Sequence, residues 1–202
     1  MIIKDWNELP IGKYIEIYDL TDDEDRALRI AAILGGITYD EIMNAPLGVT
    51  KGLLKNAEFL AKKPKIKRAK GEYVLNGETF IFNRDLNGIT TAQFIDFDRT
   101  PKDLYHVPEI AAIFLIPSGH SYNDGYDMEH VTRTIRNYMS FEDYNAVSAF
   151  FLGSYLISMK RFEKETLKAM KKAVKAGVAT REEQKQLKQN LQVIRAATLG
   201  YY

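Results

Sequence analysis

The sequence predicts a mainly α protein: two related helical modules from an internal duplication, one β-hairpin, and a long C-terminal helical arm. Three observations predict it. A pattern recurs at an offset of 80 residues, one Asn-Gly pair sits between two β-rich runs, and the last 44 residues combine helical periodicity with a basic bias. The implied organisation is repeat 1 over residues 1–61, a basic linker over 62–71, hairpin plus repeat 2 over 72–158, and the arm over 159–202.

The repeat pairs Leu9 to Ile17 with Ile89 to Phe97, matching Tyr14 with Phe94, Ile15 with Ile95, Glu16 with Asp96 and Ile17 with Phe97. The same offset then aligns Ile30 to Leu34 with Ile110 to Phe114, and Tyr39-Asp40 resembles Tyr122-Asn123 at a shift of 83. Ile11, Tyr14, Ile15 and Tyr18 form the i, i+3, i+4, i+7 stripe of an amphipathic helix. In the second copy Phe94, Ile95 and Phe97 follow Thr90 or Thr91, either of which suits a helix N-cap. The two alanines of each Ile-Ala-Ala-Ile run let a neighbouring backbone come close, so each copy reads as a short helix followed by a core helix.

Thr21 and Glu24 have capping-box spacing and predict the start of the helix that reaches Leu34 and stops at Gly35-Gly36. A short helix over Tyr39 to Asn44 precedes Pro46, and Thr50 is expected to cap a helix burying Leu53, Leu54, Phe59 and Leu60. Ile2 and Ile3 read as a remnant strand. Pro64 breaks the segment Lys62 to Lys70, whose charges repel one another. Asn76-Gly77 between Glu72 to Leu75 and Glu78 to Phe82 is the signature of a type I′ hairpin.

Pro117 to Gly125 reads as a loop whose Pro117 helps to end the helix containing Ile113. Asp127 suits the cap of a helix with Val131, Ile135 and Met139 on one side. Ser140 to Asp143 opens a long helix running to about Ala176, stopped by Gly177. Its first half is apolar through Tyr144, Val147, Phe150, Phe151, Tyr155 and Leu156. Thr180 to Glu183 is a further capping box, opening a last helix.

The arm from Met159 holds 11 Lys and Arg against 4 Asp and Glu, a net +7 that leaves the remainder at −6 and the whole chain at +1. An acidic body with a basic arm favours self-association or an acidic partner. The expected partner-binding surface is the arm's apolar stripe, Phe162, Leu167, Met170, Leu187, Leu191 and Ile194. The six charges Lys62, Lys63, Lys65, Lys67, Arg68 and Lys70 form the second candidate, a phosphate-contacting cluster for nucleic acid. That cluster lacks interleaved aromatics for base stacking.

Catalytic and metal residues are not found. The chain has no cysteine, which excludes disulfides, thiolate chemistry and Cys-type zinc sites. His106, His120 and His130 form no His-x-x-x-His pair. His106 precedes Pro108 where a helix begins, and His120 has Ser118 and Ser121 beside it without an orienting group or oxyanion hole. Asn123 to Glu129 collects oxygen ligands but lacks EF-hand spacing. Gly48 to Gly52 places a Lys between glycines without the phosphate-loop pattern, and kinase and Gly-x-Ser-x-Gly signatures are missing. No signal peptide is expected at Met1 to Trp6, and the longest apolar run, Ile110 to Ile116, is too short for a bilayer, so a soluble protein in a reducing compartment is expected.

The order of hairpin, Ile89 to Asp96 and the apolar Ile110 to Ile113 helix resembles small tail or baseplate assembly chaperones of tailed bacteriophages. The wealth of Tyr, Lys and Asn is similar to virion proteins of crAss-like gut phages. The resemblance covers residues 72–156 and, through the repeat, 1–61; the arm lies outside it. It implies a non-enzymatic protein of phage assembly, or a minor cargo or tail-associated protein carried in the virion. Its place would be the host cytoplasm during assembly or the particle, and its partners other phage structural or assembly proteins, or itself. It implies no cofactor and carries over no functional residue.

Overall fold

The computed structural model of the chain describes residues 2–65, 67–85, 88–177 and 180–199, with the side chains of 151–163 and 191–199 outside that description. Contacts divide the chain into two units, Met1–Phe150 and Phe151–Tyr202. The architecture is mainly helical with a small three-stranded antiparallel sheet.

In the first unit, α1 (Ile11–Tyr18) follows an extended Pro10 and buries Ile11, Gly12, Ile15 and Ile17. α2 (Arg26–Gly35) buries Ala31, Ala32 and Leu34 and ends in a left-handed Gly36. The expected capping box at Thr21 does not form. Thr21 Oγ1 donates to Asp23 Oδ2 at 2.7 Å, and Asp25 takes the N-cap position instead. α2 begins only at Arg26, so Thr21 lies four residues ahead of the N-cap position and its side chain is out of reach of the first-turn N–H groups.

α3 (Tyr39–Met43) carries a capping box between Thr38 and Glu41. α4 (Leu47–Asn56) starts directly after Pro46, so Thr50 lies inside it rather than capping it. Pro46 has its φ preset at −54° and opens the helix at the next residue. A 3₁₀ turn over Ala57–Ala61 follows. Ile2 and Ile3 form no strand: Ile3 is buried and its N–H donates to Leu34 O at 2.9 Å, at the end of α2.

β1 (Glu72–Leu75) and β2 (Glu78–Phe82) pair antiparallel across Asn76 and Gly77, whose φ values of 50° and 82° are those of a type I′ turn. Tyr73, Leu75, Phe80 and Phe82 point into the core, while Val74 and Ile81 stay exposed on the other face. A third strand, β3 (Leu115–Pro117), pairs with β2 through Phe82↔Leu115 and Phe80↔Pro117. Sequence reading placed Pro117 in a loop. As the last residue of an edge strand, it lacks only an N–H that the sheet does not require.

α5 (Thr91–Arg99) is opened by a Thr90–Gln93 capping box. Of the expected apolar residues Phe94, Ile95 and Phe97, the first two are 60% and 39% exposed and only Phe97 is half-buried, while the most buried residue is Gln93, 4% exposed. Gln93 spends its amide N–H on Ile113 O at 2.8 Å while its Oε1 accepts from Thr90 N, so a polar side chain is fully satisfied inside. α6 (Val107–Phe114) is the most buried helix of this region, and Phe97 meets Phe114 edge-on at 5.5 Å.

α1 and α5, and likewise α2 and α6, occupy matching positions at the offset of 80. Ala31, Ala32 and Leu34 are buried as are Ala111, Ala112 and Phe114, whereas Ile15 is 2% exposed and its counterpart Ile95 is 39% exposed. Beyond α2 the chain turns into α3 and α4; beyond α6 it enters β3 and a loop.

α7 (Met128–Tyr138) is capped by Asp127, and α8 (Phe141–Lys175) starts at once after Ser140, whose Oγ accepts from Asp143 N at 3.1 Å. This junction is a clasp. Phe141 N donates to Leu9 O at 2.7 Å and Ile11 N to Met139 O at 3.0 Å. Trp6, Tyr14, Phe59 and Phe141 pack around it, with Tyr14 and Phe141 ring centres 4.0 Å apart. Gly12 lets α1 approach α7, because a Cβ there would lie 3.0 Å from the Arg136 carbonyl oxygen.

The 62–71 segment is irregular but not a free linker. Trp6 Nε1 donates to Lys62 O at 2.9 Å, Ala69 is buried, Lys67 pairs with the buried Glu142, and Lys70 pairs with Asp143 at 3.0 Å.

In the second unit, α8 continues to Lys175 and stops at Gly177, which has a φ of 71°. α9 (Arg181–Leu199) opens with a Thr180–Glu183 capping box, Glu183 N donating to Thr180 Oγ1 at 3.2 Å.

Candidate binding surfaces

The first unit holds a cleft of about 400 Å³ between α5, α6, α7 and the loop before α7. α5 supplies Asp96, Arg99 and, just past its end, Thr100; α6 supplies Glu109 and Ile113; the loop supplies Tyr122 and Asn123; α7 supplies Met128 and Thr132. Pro101 and His106 close the side where α5 runs toward α6.

Local structure holds this wall in place. Thr100 donates to Asp96 O through both N and Oγ1, at 3.0 and 2.7 Å. The Lys102 ammonium caps the same helix end, reaching Thr100 O at 2.6 Å and Phe97 O, and sits 4.2 Å from the Phe97 ring centre. Burial pushes that ammonium's pKa down. Asp103 Oδ1 accepts from Tyr105 N, His106 N and His106 Nδ1 at 3.0, 3.1 and 2.7 Å. The His106 bond is the largest influence holding the Asp103 carboxyl below the usual carboxylate range. With a carboxylate as partner, Nδ1 carries the proton, and Nε2 lies 3.8 Å from Glu109.

Across the cleft the Tyr122 hydroxyl donates to Asp96 Oδ2 at 2.7 Å. Burial first, and Asp96 second, push the Tyr122 pKa well above that of a free phenol, so the hydroxyl stays a donor. Among the described residues Asp96 Oδ1 accepts no hydrogen bond, and Arg99 makes neither a hydrogen bond nor an ion pair. Arg99, Asp96 and Glu109 thus present charge at the rim, over an apolar floor of Ile113 and Met128.

Thr100 Oγ1 is committed to its own helix, and His106 has no nucleophile in bonding reach. His120 Nδ1 lies 2.9 Å from Asp124 O and its ring packs on Tyr126; His130 Nε2 lies 2.9 Å from Glu78. Among the described residues no group of three His, Asp or Glu side chains is arranged to hold a metal ion, and no helix is long and apolar enough to cross a membrane.

Of the six basic residues expected to contact nucleic acid, Lys67 and Lys70 are engaged by Glu142 and Asp143, and Lys70 also sits 5.4 Å from the Tyr73 ring centre. The Lys67 pKa is raised, chiefly by its hydrogen bond to Glu142. Lys62, Lys63, Lys65 and Arg68 are exposed and make no ion pair among the described residues.

The arm shows a periodic face where it is described. Leu167, Met170, Ala173 and Val174 on α8, with Gln184 and Leu187 on α9, are half-buried. Lys164, Lys168, Lys171, Lys172, Lys175, Lys185 and Lys188 are exposed. Of the expected partner-binding residues, Leu167, Met170 and Leu187 fall on this face, while the side chains of Phe162, Leu191 and Ile194 lie outside the described residues.

Sequence reading missed the cleft. Its only local signal is Asp103 three residues ahead of His106, the spacing of a side chain that turns back on a helix start. No known protein family, curated protein or solved structure matches this chain.

Proposed function

We propose that this chain is a non-enzymatic assembly protein of a tailed bacteriophage, or a minor protein carried within the virion, acting through helix-mediated contacts of its C-terminal arm. One observation carries the reading: a basic, amphipathic pair of helices belongs to a unit of its own, and the rest of the chain has the opposite net charge. A stripe such as Leu167, Met170 and Val174, spaced i, i+3, i+7 among exposed lysines, fits the helix-in-groove mode of recognition. The partner is an acidic structural or assembly protein, or a second copy of the chain, met in the host cytoplasm or in the particle.

The body is in this reading a duplicated helical unit. The paired positions of α1 with α5 and α2 with α6 support that, as does the shared burial of both Ala-Ala pairs. Outward Phe94 and Ile95 then mark the divergence of the second copy.

Deleting 160–202 tests the proposal. The expected result is a folded product with native-like circular dichroism that no longer binds its partner or oligomerises. Unchanged mass by light scattering together with unchanged pull-down refutes it. A second reading, nucleic-acid association, is favoured by the uncommitted Lys63, Lys65 and Arg68 together with the basic arm. It requires an affinity that falls steeply with salt, and absence of binding at low salt removes it.

A further inference from the structure

We propose that the cleft between α5, α6 and α7 binds a free apolar α-amino acid as its zwitterion, with Arg99 taking the carboxylate and Asp96 the ammonium. The argument starts from spacing. Asp96 and Arg99 are i, i+3 on α5, which places their Cβ atoms about 5–6 Å apart. They make no ion pair with each other, although both line the same cleft. Opposite charges held side by side but not joined match a single carbon that bears one ammonium and one carboxylate.

The remaining walls fit the same ligand. Tyr122 anchors Asp96 through Oδ2 and leaves Oδ1 to accept. Glu109 adds a second carboxylate on the α6 side, where its neighbour is His106 Nε2 at 3.8 Å. Ile113 and Met128 form an apolar floor for a side chain, and Thr132 and Asn123 offer neutral polar groups at its edge. The volume of about 400 Å³ lies at the small end of the usual range for small-molecule sites and suits a ligand the size of phenylalanine. Burying a lone carboxylate or a lone ammonium here would leave either Asp96 or Arg99 unanswered, whereas the zwitterion answers both.

The test is a titration of the ¹⁵N-labelled full-length protein with L-phenylalanine, followed by two-dimensional NMR. The expected result is saturable shifts confined to α5, α6, α7 and the 118–127 loop. Phenylalanine amide and N-acetyl-phenylalanine, which carry one charge each, are expected to bind at least about fivefold more weakly, and the doubly blocked N-acetyl amide more weakly still. Arg99→Met at the exposed end of α5 should weaken L-phenylalanine by about tenfold or more. Asp96→Asn, which keeps an oxygen for Tyr122, should do the same without unfolding the site. Three outcomes overturn the proposal: no saturation by about 10 mM, a concentration well above a 1 mM dissociation constant; equal binding of the doubly blocked analogue; or unaltered binding in both folded variants.

Discussion

Replacing Gly12 with alanine sets two known effects against each other at the seam between α1 and α7. Gly12 is the second residue of α1, where alanine's advantage over glycine is at most the about 1 kcal/mol of a helix interior. Against that, the new Cβ would lie 3.0 Å from Arg136 Cγ and 3.0 Å from the Arg136 carbonyl oxygen. The side-chain carbon can swing aside, but the carbonyl belongs to the α7 backbone and can be relieved only by moving the helices apart. Overpacking of this kind costs about 1–3 kcal/mol. The steric cost therefore outweighs the propensity gain, for a net loss of about 1 kcal/mol. Gly52 provides the control, since nothing lies within 4 Å of a Cβ built there. Gly52→Ala should gain about 0.5–1 kcal/mol. The two variants should then differ by about 2 kcal/mol, or about 4–8 °C in Tm for a unit of this size. Urea denaturation followed by circular dichroism measures it, with equal m-values required of both variants. A Gly12→Ala protein as stable as Gly52→Ala would refute the close approach of α1 to α7.

Lys67→Met leaves the buried Glu142 carboxylate without its cation and should destabilise the first unit by about 1–3 kcal/mol, with the half-exposed lysine favouring the low end. Lys67→Met combined with Glu142→Met should cost less than the single change, because removing both partners removes the stranded charge; urea denaturation of both proteins reads the difference. Asp103 contributes to acid stability with a definite sign. Its folded carboxyl titrates below the ordinary value, so its stabilisation is present above about pH 4 and is lost as the pH falls through the depressed folded value. Asp103→Asn should flatten the acid limb of a plot of Tm against pH below about pH 4 and leave its slope near neutrality unchanged.

What could be read from sequence was whatever neighbours in the chain decide. Thr90, Asp127, Ser140 and Thr180 do cap helices, because a cap oxygen and the N–H it accepts sit within three residues of each other. Asn76-Gly77 makes its turn for the same reason. Thr21 fails because α2 starts only at Arg26, beyond the reach of its side chain. The outward face of α5 was misread because a nine-residue helix offers too short a window to fix its orientation. Gln93, which no local pattern marks as buried, is held inside by the carbonyl of Ile113, twenty residues away. β3 was hidden because three residues attached directly to a helix show no alternation. The cleft was out of reach altogether, since Asp96 meets Tyr122 across 26 positions.

The clasp at the start of α8 also sets the timing of the chain's own synthesis. Leu9 receives the N–H of Phe141, so the first helix waits for a strand-like contact that lies about 130 residues downstream. At about 5–20 residues per second, a ribosome needs roughly 7–30 s to reach that point. Until then Trp6, Tyr14 and Phe59 have no Phe141 to close over them, and the nascent chain shows greasy aromatic surface to the cell. The contact between the start of the chain and the start of α8 therefore closes only after Phe141 has been made.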